Sequence, residues 1–136
     1  MANFFLLASS IFHGSCILYF ISSRHYYTHL SFLYFSGILS SIANHGLTSE
    51  PAKWFDRNLM KIICVINMFV VTNNFARMYL ILILNSWAVG AYYAAKWFEK
   101  NENYTDEEKH WTKNVFHFGA HTLCTLSICL IINVEP

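Results

Sequence analysis

Charged side chains in this chain are confined to a few short places, and the stretches between them are long and oily. Asn3 to Ser22 and Tyr27 to His45 contain no Asp, Glu, Lys or Arg. Arg57 to Thr72 and Arg77 to Trp97 carry such residues only near their ends, and Asp106 to Asn133 only in its opening turns. A helix crosses the hydrocarbon of a bilayer, about 30 Å thick, in about 20 residues, so each segment has roughly the length of one crossing. Helices are the form such segments must take, because in lipid each backbone N–H and C=O needs a partner within its own segment or a closed barrel. With 55% hydrophobic, 18% aromatic and only 12% charged residues, the chain is too apolar for an ordinary soluble domain. The sequence therefore predicts an all-α fold: a single domain over 1–136, an integral membrane bundle of about five transmembrane helices at about 3–22, 27–45, 57–72, 77–97 and 106–133.

The polar breaks carry start and stop signals. Gly46 ends the second segment and Pro51 restarts the chain, while Thr105-Asp106-Glu107-Glu108 has the form of a capping box opening the last helix. Ser23-Arg24-His25, Asn73-Asn74 and the run from Glu99 to Lys109 make the other breaks; that run lacks the glycine and alternating oxygen ligands of a calcium-binding EF-hand. The first segment has neither a basic leader nor a small-residue cleavage site, so it is expected to stay as a span. A formal net charge of +1 supplies no basic field for nucleic acid, which is excluded as a partner. The four cysteines, Cys16, Cys64, Cys124 and Cys129, lie inside apolar segments without a CxxC spacing and read as packing residues.

Ionisable groups are costly inside a membrane, so those that occur there point to function. Ser41 and His45 lie one helical turn apart, Asp56 follows eleven residues on, and His117 and His121 form an i,i+4 pair far downstream. Consecutive spans alternate in direction. The end of the second, the start of the third and the start of the fifth therefore share one membrane face, and all five residues sit near it. Three neutral imidazoles bind zinc tetrahedrally and leave a fourth position open, the catalytic type of site, which acidifies water and polarises a carbonyl. His45, His117 and His121 are the candidate ligands. Asp56 is placed to accept and return a proton, and Ser41 to steady an oxyanion. Plainer readings stand beside these: hydrogen-bonded core histidines, a histidine pair carrying haem, an Asp56 favoured by a helix N-terminus and Arg57, and a Ser41 bonded back to its own helix. His13 reads either as a further polar group near the site or as a satisfied packing histidine.

The chain resembles the CREST superfamily of membrane hydrolases, which includes alkaline ceramidases, the adiponectin receptor group and GPI-anchor lipid-remodelling proteins. The resemblance is carried by Ser41-Ile-Ala-Asn-His45, by Asp56 after ten further residues, and by His117-Phe-Gly-Ala-His121 in the last span. It implies zinc held by His45, His117 and His121, with Ser41 and Asp56 completing the catalytic set. It further implies hydrolysis of an amide or ester bond of a membrane lipid, with ceramide or a related lipid as substrate. Members of the superfamily that are not enzymes make a non-enzymatic remodelling, fusion or receptor-like protein with structural zinc the alternative. Members usually have seven spans. Loss of an adjacent pair leaves the alternation, and so the site, intact. Met1-Ala-Asn-Phe-Phe-Leu has no counterpart to the acidic calcium-binding segment of alkaline ceramidases.

The basic residues set an orientation. Lys53, Arg57, Lys61, Lys96, Lys100, Lys109 and Lys113 fall on the side of the site, with Arg24 and Arg77 opposite, which predicts a cytosolic site face. Asn103-Tyr104-Thr105 on that face is a glycosylation sequon, which functions only in the lumen; the charge bias is given precedence. The expected location is an endoplasmic reticulum or Golgi membrane, the bilayer and its lipids being the partners, with a homo-oligomer as a further possibility.

Overall fold

The computed structural model describes residues 3–22, 28–47, 49–70 and 75–132. Five α-helices account for nearly all of them: α1 (Phe4–Ser22), α2 (Thr28–Leu47), α3 (Glu50–Val70), α4 (Phe75–Lys100) and α5 (Asp106–Ile132). Each apolar segment of the sequence falls on one helix, and no strand occurs among the described residues. The breaks at Ser23-Arg24-His25 and Asn73-Asn74, the segment ends at Tyr27, Thr72 and Asn133, and His25 lie outside the described residues. Two helices, α4 and α5, are long and apolar enough to cross a membrane; the apolar stretch of α1, Phe4–Tyr19, is shorter.

Helix ends follow capping rather than apolar content. α3 begins at Glu50, not Arg57, because Ser49 caps it: its Oγ accepts from the Ala52 N–H at 3.3 Å, and its carbonyl accepts from Lys53 N at 3.1 Å. Pro51 sits in this first turn, where its missing N–H is no loss. α5 opens on the capping box, with Thr105 N donating to Glu108 Oε2 at 2.9 Å and Glu108 N donating to Thr105 Oγ1 at 3.3 Å. The charged run thus contributes its two ends to helices, and the connection shrinks to 101–105.

α5 is the central element, packed against α1, α3 and α4, while α2 packs against α1 and α3. The main apolar cluster joins Ile17, Tyr34, Ile38, Ile63, Ile128 and Ile132 from α1, α2, α3 and α5, and Ile81 meets Ile131 to seat α4. Two glycines set close approaches. A Cβ at Gly14 would lie 2.6 Å from Ile38 Cγ2, and one at Gly37 would lie 2.7 Å from Ile63 Cδ1, so α1–α2 and α2–α3 close at positions without side chains. Deep in the bundle the Tyr34 hydroxyl donates to Asn67 Oδ1 at 2.8 Å, bolting α2 to α3. The α2 and α5 backbones make no direct contact among the described residues. Side chains fill the space between them, and at one end of it those side chains are imidazoles.

Candidate metal centre

His45 lies in the last turn of α2, and His117 and His121 lie on consecutive turns of α5. Residues four apart on a helix share a face, which is why the α5 pair presents both rings toward α2. The ring centroids are 5.0 Å apart for His45 and His117, 5.4 Å for His45 and His121, and 5.0 Å for His117 and His121. One nitrogen from each ring lies within 4.8 Å of the others. Zinc bonds of about 2.0–2.1 Å set tetrahedral ligand nitrogens about 3.3 Å apart, so small ring rotations bring this set onto one ion. His45 is 6% exposed, and its Nε2 is buried with no hydrogen-bond partner among the described residues. A buried nitrogen of that kind is costly unless something binds it. Three imidazoles with one orphaned nitrogen fit a metal ion.

The helices that carry the three histidines are held in register by residues outside the motif. Asn3 N donates to the His45 carbonyl at 3.3 Å, and Asn3 Nδ2 donates to Asn114 Oδ1 at 2.9 Å, one turn before His117. Asn3 Oδ1 also accepts from Leu6 N at 3.1 Å and so caps α1. A single residue, through its backbone N–H and its side chain, thus joins α1, α2 and α5 at the level of the triad. Lys113 pairs with Glu99 and ties the start of α5 to the end of α4. On the far flank, His13 Nδ1 donates to the Ser9 carbonyl at 2.7 Å, since a carbonyl only accepts, and its Nε2 lies 3.0 Å from Thr122 Oγ1. The His13 ring stands 6.0 Å from that of His121. His13 is thus a satisfied packing histidine whose ring stands beside that of His121.

Ser41 and Asp56 make their hydrogen bonds to residues other than the triad. Asp56 is buried within α3 rather than in its first turn, and its two oxygens accept from Ser40 Oγ at 2.9 Å and Asn44 Nδ2 at 2.7 Å. Ser40 and Asn44 form a stripe on α2 about 100° round from Ser41 and His45. Ser41 faces α1, with its Oγ 3.0 Å from Ser10 Oγ. Ser10 donates its proton to the Leu6 carbonyl at 3.0 Å, so Ser41 is the donor between the two hydroxyls. On the α4 side, the Tyr92 ring stands edge-on to His117 at 5.8 Å.

Motif spacing does not single out Asn3, Ser40, Asn44, Asn114 or Tyr92. Spacing offered a partial signal, because Ser9/His13 and Ser40/Asn44 are i,i+4 polar pairs inside apolar helices, as Ser41/His45 is. Comparison of the chain with protein families, with characterised proteins and with solved structures finds no match. The resemblance to the CREST superfamily therefore rests on the spacing of Ser41, His45, Asp56, His117 and His121 alone.

Proposed function

We propose that this chain is a zinc-dependent hydrolase of the CREST type, cutting an amide or ester bond of a membrane lipid, with ceramide the leading substrate. The observation that carries the reading is the convergence of His45, His117 and His121 from two helices around a buried nitrogen without a partner. Zinc held by these three residues supplies Lewis acidity and an acidified water. Asp56 receives a proton and returns it to the departing amine or alcohol, its carboxylate oriented by Ser40 and Asn44. All five helices cross the bilayer in this reading. Large apolar side chains point outward on the helices beyond α4 and α5, with Phe12 62%, Phe32 74% and Phe69 71% exposed, which suits contact with acyl chains. In this reading the site faces the cytosol, the side favoured by the bias of basic residues, and the membrane is that of the endoplasmic reticulum or Golgi.

One observation favours a second reading, a non-enzymatic membrane protein with a structural zinc clasp. Both Asp56 oxygens are already engaged in joining α3 to α2, which is what a structural bolt requires.

Elemental mass spectrometry of detergent-purified protein tests the shared premise. About one zinc per chain is expected in the wild type and none in His117→Ala/His121→Ala. A wild type that takes no zinc even when it is offered would end both readings. Release of fatty acid from a fluorescent ceramide by the wild type, abolished in the double variant, then separates the hydrolase from the clasp.

A further inference from the structure

α3 carries three cations on one ladder: Lys53, Arg57 and Lys61 stand four residues apart and line one side of the helix over about 12 Å. The outermost is neutralised, since Lys53 Nζ lies 2.6 Å from Glu50 Oε1. Arg57 and Lys61 are exposed, and no ion pair among the described residues takes up either of them. Arg57 feels Glu50 and Asp56 only at longer range, because Glu50 is held by Lys53 and Asp56 gives its oxygens to Ser40 and Asn44. The surroundings of the two cations are those of a lipid-facing helix rather than a wet one, with Trp54, Ile62, Val65 and Phe69 all exposed beside them.

In a bundle whose helices all cross the bilayer, Lys61 is the twelfth of the 21 residues of α3, about 16 Å along the axis from Glu50 and so near mid-membrane. An ammonium there is costly unless it reaches back to the headgroups or the headgroups come to it. Lys61 leans that way: its Nζ lies 3.4 Å from Asn58 Oδ1, on the turn nearer Glu50 that also carries Arg57. Apart from Asp56, the described acids sit at helix ends or in the 101–105 connection, so a second copy lying alongside brings no carboxylate to this depth. A lipid phosphate can meet both cations, because a guanidinium grips its oxygens through two parallel N–H donors and an ammonium adds a point charge.

We infer that the face of α3 bearing Arg57 and Lys61 binds an anionic phospholipid, whose headgroup phosphate sits between the guanidinium and the ammonium on the site side of the bilayer, with its acyl chains along the apolar side chains beside them. Lipids of net negative charge are the class selected, since a phosphate balanced by its own choline leaves the second cation unmet. The inference rests on the membrane-crossing part of the proposed reading and not on its zinc.

The detergent-purified chain would be titrated with phosphatidylserine and with phosphatidylcholine, and bound lipid counted by native mass spectrometry, for wild type, Arg57→Gln/Lys61→Gln and Lys96→Gln/Lys100→Gln. The last variant removes the same charge at the same spacing from α4. A basic residue beside an anionic headgroup contributes about fivefold in affinity. The wild type is therefore expected to prefer phosphatidylserine by at least about tenfold, the α3 variant to bind both lipids alike, and the α4 variant to keep the preference. A wild type without preference overturns the inference. So does an α3 variant that keeps it, or an α4 variant that loses as much, which would make it an effect of total charge. Circular dichroism checks that each variant stays helical; if the α3 variant unfolds, Lys61→Gln alone is read, with a loss of about fivefold expected and no loss overturning the inference. A wild type that takes no zinc but still prefers phosphatidylserine ends the hydrolase reading and supports this site, whereas a chain released from membranes by an alkaline wash ends both.

Discussion

Asp56 is the residue on which the two readings of the site divide, and its hydrogen bonds make the division measurable. In Asp56→Asn the side-chain oxygen still accepts from Asn44, and the new amide donates to Ser40 Oγ, whose own proton turns to the Gly37 carbonyl, 2.9 Å away. The substitution is isosteric and leaves the α2–α3 junction satisfied, while removing the group able to take a proton. A general base contributes about 10²–10⁴ in rate. Asp56→Asn is therefore expected to keep its zinc and its thermal midpoint and to lose at least about 100-fold in ceramide turnover. Near-wild-type turnover would reduce Asp56 to a bolt. In the hydrolase reading its oxygens would serve packing and chemistry together, held from α2 by Ser40 and Asn44, one residue before Ser41 and His45 respectively.

Between helices, the close approaches differ in what lies opposite each glycine. At Gly14 the nearest atom is the branched Cγ2 of Ile38, rooted one bond from its Cβ and unable to swing away without changing rotamer. At Gly37 it is the terminal Cδ1 of Ile63, which can turn aside. Overpacking of a tight junction costs about 1–3 kcal/mol. Gly14→Ala is accordingly expected to lower the thermal midpoint clearly, and Gly37→Ala by less, with circular dichroism in detergent as the check; the reverse order would show that α1 and α2 adjust more easily than α2 and α3. Since α1 carries Ser10 and His13, which touch Ser41 and the neighbourhood of His121, loosening this junction should also weaken zinc retention. Asn3 acts from the same helix end, fastening His45 and Asn114 at one level.

Taken as a whole, the bundle closes around α5, but among the described residues α2 and α5 meet only through side chains. An ion shared by His45, His117 and His121 would supply the missing cross-link. Ligand bound at 100 times its Kd stabilises the native state by about 2.7 kcal/mol. For a chain of this size that corresponds to a shift on the order of 10 °C. Chelator treatment of the purified wild type should lower the thermal midpoint by about that much, and added zinc should restore it. His117→Ala/His121→Ala should start low and respond to neither. A wild type indifferent to chelator would mean that the bundle does not depend on the triad being joined.

Periodicity and apolar length, which are properties of neighbouring residues, made five helices and most of their extents readable from the residues alone. The Thr105–Glu108 box is legible as a cap and Pro51 as a restart, whereas the cap at Ser49 is not singled out by the sequence, and a start of α3 set by apolar content falls late, at Arg57 instead of Glu50. The i,i+4 spacing of His117 and His121 also fixed their common face in advance, because helix geometry is local. Only the tertiary structure could decide which residues meet across helices. His45 reaches the α5 pair, whereas Asp56 turns to Ser40 and Asn44, Ser41 turns to Ser10, and Tyr92 arrives beside His117 from a helix without any motif residue. Those contacts depend on the rotation of each helix about its own axis and on the close approaches at Gly14 and Gly37. Packing of the whole bundle sets both, and no spacing along a single chain segment encodes them.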